Sequence, residues 1–194
     1  MAEQDKIVNG VNVTALFNTI DAVKDKPVIA EFEFRAENSW HTCGHNTTSI
    51  KDFYGVQQVH AHEKPFVLDA DEPPVLLGTD KGPNPVEYAL TALAACVTTA
   101  MVYHAAAKGI EIRGIKSRLE GDLDLRGFLG LSKEVPVGYK EIRMYFTIDA
   151  DISEEEKADL ISTGKKYSPV FNTISNATPV SARLDPVTSK AAAA

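Results

Sequence analysis

GPNPVEYALTALAACVTTAMVYHAAAKG, residues 82–109, is the stretch that decides how the rest of the chain must fold. Asn84 is a good N-cap, and Pro85 suits the first helical position, where a missing N–H costs nothing. Glu87 stands three residues after the cap and completes a capping box. Gly109 is a natural terminator. Between these signals run small and apolar residues, so the spacing predicts a helix about 36 Å long at ~1.5 Å per residue. A helix apolar nearly all round is buried on more than one side. One domain of 194 residues has difficulty covering it, so a partner subunit is expected. The run Tyr88–Ala107 is interrupted by threonines and His104 and followed at once by Lys108. It reads as a core helix rather than a membrane span.

Working outward, residues 12–23 (NVTALFNTIDAV) place Val13, Leu16, Phe17 and Ile20 at helical spacing, predicting an amphipathic helix over about 12–24. Val28–Phe34 (VIAEFEF) alternates apolar and charged residues as a half-buried strand does. A second strand, about Thr47–Tyr54, is expected to pair with it through a turn at His41–Asn46. Val59–Leu68 supplies a third, and the Asp-, Gly- and Pro-rich segment Asp69–Pro85 a loop. After the long helix, Glu111–Glu120 and Tyr139–Asp149 read as strands. The long connection between them, GDLDLRGFLGLSKEVPVG, carries apolar Phe128 and Leu131. Ser153 and Glu156 form a second capping box for a helix reaching about Lys166. Ser168–Pro169 opens a short helix to about Ser175. Thr178–Leu184 is expected to close the fold as a strand. The whole, 1–194, reads as a single α+β domain with its core over about 27–185 and a disordered tail, 186–194.

Composition narrows the function. A net charge of −7 and a pI near 5.2, with no basic cluster, argue against nucleic acid as a partner. Met1–Ala22 lacks the charged-then-apolar pattern of a secretory signal. Two cysteines, Cys43 and Cys96, cannot build a disulfide framework, so free thiols and a cytoplasmic location are expected. No cofactor is expected.

The candidate side chains each have an ordinary role beside a chemical one. Cys96, mid-helix among alanines, is either inert packing or a reactive thiol, without help from the helix dipole. Glu87 caps Asn84. Its offset of nine residues from Cys96 is about 180° on an ideal helix, so within one straight helix the two face opposite ways. In extended backbone His41, Cys43 and His45 would share a face, as zinc ligands could, with His60 and His62 repeating the spacing. Gly44 signals a turn that breaks this alternation, and surface histidines in a hairpin are the ordinary reading, so no metal is assigned. Asp122 and Asp124 lack the EF-hand pattern and read as a solvated loop.

GPNPVEYALTALAAC (82–96), the helix it opens, and KKYSPVFNTISNATPV (165–180) resemble, in this order, the osmotically induced protein C (OsmC) and organic-hydroperoxide-resistance family. The resemblance extends from about Val28 to Leu184. It implies an intertwined homodimer in which curved antiparallel sheets wrap around paired long central helices. It also implies a peroxidase cycle: a helix cysteine attacks a peroxide, becomes a sulfenic acid, and is resolved by a second cysteine, with an Arg and a Glu nearby. Carried over, the helix cysteine is Cys96, and the second-cysteine position is Ser168. A hydroxyl cannot resolve a sulfenic acid into a disulfide, so an external thiol reductant would be needed. In the peroxide-reducing branch the glutamate directly follows the proline, whereas here Val86 intervenes before Glu87. Arg35 is the arginine match. The expectation is a one-cysteine hydroperoxide reductase. The alternatives are a non-catalytic protein of the same fold binding a small apolar ligand at the dimer interface, and a zinc protein using His41, Cys43 and His45.

Overall fold

The computed structural model describes residues 5–184. In chain order they form a small hairpin (β1, Ile7–Val8; β2, Val11–Asn12), helix α1 (Val13–Asp25), and strands β3 (Glu33–Phe34), β4 (Glu37–Thr42), β5 (His45–Gly55) and β6 (Gln58–Ala70). Then come the long helix α2 (Pro85–Ala107), strand β7 (Ile112–Asp122), the single turn α3 (Leu125–Phe128), strand β8 (Glu141–Ala150), and helices α4 (Glu154–Tyr167) and α5 (Pro169–Ser175). The α+β class read from the sequence is the class observed.

The start of α2 follows its local chemistry. The Asn84 side chain accepts from the N–H of Val86, and the Glu87 carboxylate accepts from the N–H of Asn84 at 2.8 Å. At the other end Gly109 takes φ +73°, the left-handed conformation that glycine adopts without penalty. Leu93, Val97, Met101 and Ala105, every fourth residue, form a buried row. Against that row pack α4, α5 and the antiparallel β7–β8 hairpin, contributing Leu160, Ile148 and Ala150 to the core. The contact between α2 and α4 is close because Gly164 has no side chain: a Cβ there would lie 2.4 Å from Met101 Cγ and 3.0 Å from the Val97 carbonyl oxygen. A second, small cluster joins Val8 and Val13 to Ala106. It is clamped by Asn9, whose amide donates to the carbonyl of Ile110 (2.9 Å) and accepts from the N–H of Ile112 (2.8 Å).

Strands β3–β6 are a different matter. β5 is central, with β4 and β3 along one edge and β6 along the other, all antiparallel. Among the described residues none of these four strands joins either buried cluster. The sheet stands off as an arm, and Phe34 and Phe66 on it are 77% and 57% exposed.

Three expectations need correction. Val28–Phe34 is not one strand: Pro27 opens a 3₁₀ turn over Pro27–Ala30, and only Glu33 and Phe34 pair with β5. The main partner of β5 on that edge is Glu37–Thr42 (ENSWHT), exposed throughout. With neither face buried, it carries no apolar alternation to read. Thr178–Leu184 has strand-like alternation but makes no ladder in this chain, and Leu184 is 99% exposed. Alternation licenses a strand only where an edge is offered. In the N-terminal helix, Phe17 and Ile20 are exposed rather than core residues. The tail expected at 186–194 lies outside the described residues.

The loop from Asp71 to Asn84 carries the chain from the arm to α2, and one carboxylate organises it. Asp71, 1% exposed, accepts from the Thr79 hydroxyl (2.6 Å) and from the N–H groups of Glu72 (2.8 Å), Thr79 (3.1 Å) and Lys81 (3.3 Å). Gly78 folds onto the Glu72 carbonyl, where a Cβ would lie 1.8 Å from the oxygen. The Glu72 carboxylate in turn accepts from the Asn84 amide, and the Tyr88 hydroxyl donates to the carbonyl of Asp69 at 2.6 Å. The helix start is thereby tied to the end of β6.

Two outcomes follow. Gly164→Ala overpacks the α2–α4 contact, which costs ~1–3 kcal/mol, against the ~1 kcal/mol by which alanine exceeds glycine as a helix former. A net loss of about 1 kcal/mol is expected, read as a lower urea midpoint at unchanged slope. The Thr79 hydroxyl first, and then the three N–H groups, hold the Asp71 carboxyl down at about 2. A folded-state value below the unfolded one, ~3.9 for aspartate, stabilises the protein above pH ~4, and this contribution is lost as pH falls through about 2. Asp71→Asn should flatten the acid limb of stability against pH in that window while leaving the neutral-to-alkaline limb parallel to that of the wild type.

Candidate functional site

Cys96 lies on the border of the buried row of α2. At ~100° per residue, Leu93, Val97 and Met101 fall on one flank, and Ala92, Ala95, Thr99 and Tyr103 on another that this chain leaves exposed. Cys96 sits between them, half-buried. Of the most apolar 18-residue stretch of this helix only 28% is buried. By length and composition alone α2 is also able to cross a membrane, although one flank here is occupied by α4, α5 and β7.

Ser168 is placed by the junction of two helices. Its N–H donates to the Gly164 carbonyl (3.0 Å) at the end of α4, and its hydroxyl accepts from the N–H of Phe171 (3.1 Å), capping α5. The residue is fully buried. Gly164 abuts Val97, so the second-cysteine position lies one helical turn from the α2 neighbour of Cys96. Beside it Tyr167 stacks on His104, ring centroids 4.3 Å apart, and burial and then the charge of Lys108 lower the imidazole pKa.

Glu87 is occupied as a capping residue and stays exposed. No motif pointed to its neighbour Tyr139, whose hydroxyl donates to the Val86 carbonyl at 2.9 Å. Burial, and then the nearby Glu87 charge, raise the phenol pKa. The ring lies over Gly121, where a Cβ would meet it at 2.4 Å. Only the side-by-side pairing of β7 and β8 brings these positions together, and no motif in the sequence encodes it.

Arg35 is carried on the arm, between β3 and β4. Its guanidinium binds Glu33 (2.7 Å) and Asp52 (3.0 Å). On the same arm Phe53 is the centre of a cluster of rings, Phe32, Phe34, His60, His62 and Phe66, with neighbouring centroids 4.9–6.2 Å apart. Within one chain α2 packs on none of β3, β4 and β5, so Arg35 and Cys96 belong to separate parts of the molecule.

The three proposed zinc ligands do not converge. Cys43 takes φ +48° in the β4–β5 turn, and its thiol donates to the Leu77 carbonyl at 3.0 Å. His41 and His45 do approach, with centroids 4.8 Å apart, but each Nε2 is already engaged. His45 binds Asp69 (2.9 Å), and His41 binds Thr47 (2.8 Å), whose hydroxyl donates to the same carboxylate. Among the described residues no three His, Cys, Asp or Glu side chains are grouped to hold a metal. Asp124, read as solvated, is a clamp instead: it binds Arg126 and Lys140, and both lower its pKa.

Comparison with known proteins gives these positions a family. Residues 78–183 match the model of the family described as OsmC-like protein. No curated protein matches the chain. Among solved structures, an OsmC-like protein from Mycoplasma pneumoniae superposes with a TM-score of 0.57 at 22% identity, covering 74% of this chain and 87% of that one. A Legionella pneumophila protein, described as an organic hydroperoxide resistance protein OsmC, gives 0.52 at 20%, covering 73% and 88%. An OsmC-like protein of unknown function from Vibrio cholerae gives 0.56 at 11%, covering 73% and 92%. At these identities the likenesses establish a shared fold. The family match spans more than half of the 194 residues and contains both Cys96 and Ser168: the chain belongs to the OsmC-like protein family.

Proposed function

We propose that the protein is a one-cysteine peroxidase that reduces organic hydroperoxides at Cys96 and is restored by an external thiol. One observation carries this reading: the family cysteine lies half-buried at the edge of an open, apolar flank of α2. A thiol sealed inside the Leu93–Val97–Met101 row would be inert, and one fully in water would have no apolar surface to hold an organic substrate.

In this cycle the Cys96 thiolate attacks the terminal oxygen of ROOH. An S–O bond forms as the O–O bond breaks, and the departing alkoxide takes a proton to become ROH. Cys96 is now a sulfenic acid. A thiol of the reductant attacks its sulfur and releases water, and a second thiol displaces the mixed disulfide, regenerating the Cys96 thiol. Ser168 takes no part, because a hydroxyl cannot form the internal disulfide. The need for a reduced thiol pool fits a cytoplasmic protein.

The reading includes a homodimer. The exposed ring face of the arm and the uncovered flank of α2 are two apolar surfaces of one chain that do not meet each other. In a pair of chains, the arm of each covers α2 of the other. Arg35 then approaches the partner's cysteine, and Glu87, turned about 180° from Cys96 on its own helix, serves the site of the other chain.

Incubation with cumene hydroperoxide should add one oxygen to Cys96 by intact mass, and peroxide should be consumed catalytically with dithiothreitol. Cys96→Ser should reduce consumption to the uncatalysed background. An unmodified Cys96 would sink the assignment and favour a binding protein without redox chemistry. Ser168→Cys should change the product of peroxide treatment from an added oxygen to the loss of two hydrogens, as an internal disulfide forms. Sedimentation should give twice the chain mass, and Phe34→Glu, which places a charge on a residue 77% exposed in the single chain, should shift it to monomer without unfolding.

A further inference from the structure

Cys96 lies in the middle of α2, beyond the first and last turns where the helix dipole acts. Within the chain Arg35 stands on a separate part of the molecule. The help that α2 itself offers the sulfur comes from positions three and four residues to either side, its neighbours on a helix surface. These are Ala92, Leu93, Thr99 and Ala100. Thr99 is the one with a polar side chain.

Direction favours Thr99 as well as spacing. Helical side chains lean toward the N-terminus, so each covers the turn before its own Cα. The turn before Thr99 is the one that carries Cys96, and Thr99 is exposed on the open flank at whose edge Cys96 sits half-buried. Its hydroxyl is also uncommitted. A threonine in a helix can tie its Oγ1 back to the carbonyl one turn earlier. Thr19 does so to Ala15 at 2.9 Å, and Thr91, two turns before Thr99 on α2, to Glu87 at 3.0 Å. Thr99 makes no such bond to Ala95, and among the described residues its side chain has no other hydrogen-bond partner. A free donor thus stands one turn from the thiol, on the side from which a substrate arrives.

We propose that Thr99 is a catalytic residue of the peroxidase reaction, a role that rests on the reading of Cys96 given above. As the S–O bond forms and the O–O bond breaks, negative charge passes from the sulfur to the departing oxygen. The Thr99 O–H donates to that oxygen as the charge develops, and the proton lost when the thiol ionised returns through water to complete ROH. Oxidation of Cys96 by cumene hydroperoxide, followed in the full chain by peptide mass, tests this. Thr99→Val keeps the shape without the hydroxyl and should slow oxidation at least about tenfold. Thr99→Ser should restore most of the rate, and Thr91→Val, which loses an engaged hydroxyl, should match the wild type. Alkylation of Cys96 by iodoacetamide expels no oxygen and should run at the wild-type rate in Thr99→Val. Wild-type Cys96 left unoxidised would remove the peroxidase reading and this role together. Given oxidation of the wild type, an unslowed Thr99→Val, a serine without rescue, or equal slowing of oxidation and alkylation would overturn the role of Thr99 by itself.

Discussion

The structure depends on one mismatch: α2 is apolar on more of its circumference than one chain of this size covers. Leu93, Val97, Met101 and Ala105 are sealed by α4, α5 and the β7–β8 hairpin, while Ala92, Ala95, Thr99 and Tyr103 remain open. Apolar surface left in water costs about 25 cal/mol per Å², and a strip of this kind along a central helix calls for a cover from elsewhere. The same molecule displays an arm on whose ring-lined face Phe34 and Phe66 are exposed. Two exposed apolar surfaces in one chain are the physical basis of the proposal that the protein is half of a pair.

The candidate chemistry sits at that boundary. A cysteine one position further round the helix would be sealed in the core, and one a further step the other way would be bare to water. The placement depends on rigid connections: the Asn84–Glu87 capping box, the Asp71 carboxylate gathering its loop, and the Tyr88 hydroxyl on the Asp69 carbonyl. The hydrogen bonds of the buried Asp71 carboxylate and of Tyr88 tie the helix start to the end of the arm.

Ser168 has a structural duty of its own, at the junction of α4 and α5. Its hydroxyl accepts from the N–H of Phe171 and so caps α5. The residue is fully buried with its one acceptor bond made. Under the proposed peroxidase reading, a sulfenic acid at Cys96 would find a hydroxyl and not a thiol at this place.

Much of the body was legible from residue order alone. Asn84-Pro85-Val86-Glu87, Ser153 with Glu156, Ser168-Pro169 and Gly109 are local signals whose partners lie within one turn of chain, and each appears where local chemistry puts it. Cys96 and Ser168 both fall within the stretch that matches the OsmC-like family, whose pattern follows the helix starts at Asn84–Pro85 and Ser168–Pro169. What failed or stayed invisible needed distant chain. ENSWHT became a strand because β5 offered an edge, and Thr178–Leu184 did not because none was offered. In extended backbone His41, Cys43 and His45 would share a face, yet a left-handed turn at Cys43 breaks the alternation, and Asp69 and Thr47 occupy the two imidazoles. The setting of Tyr139 over Gly121 arises only when strands and helices remote in sequence are packed together. Helix caps and periodicity are short-range and survive in a linear reading. Sheet register and uncovered surfaces are set by packing, which only the folded chain decides.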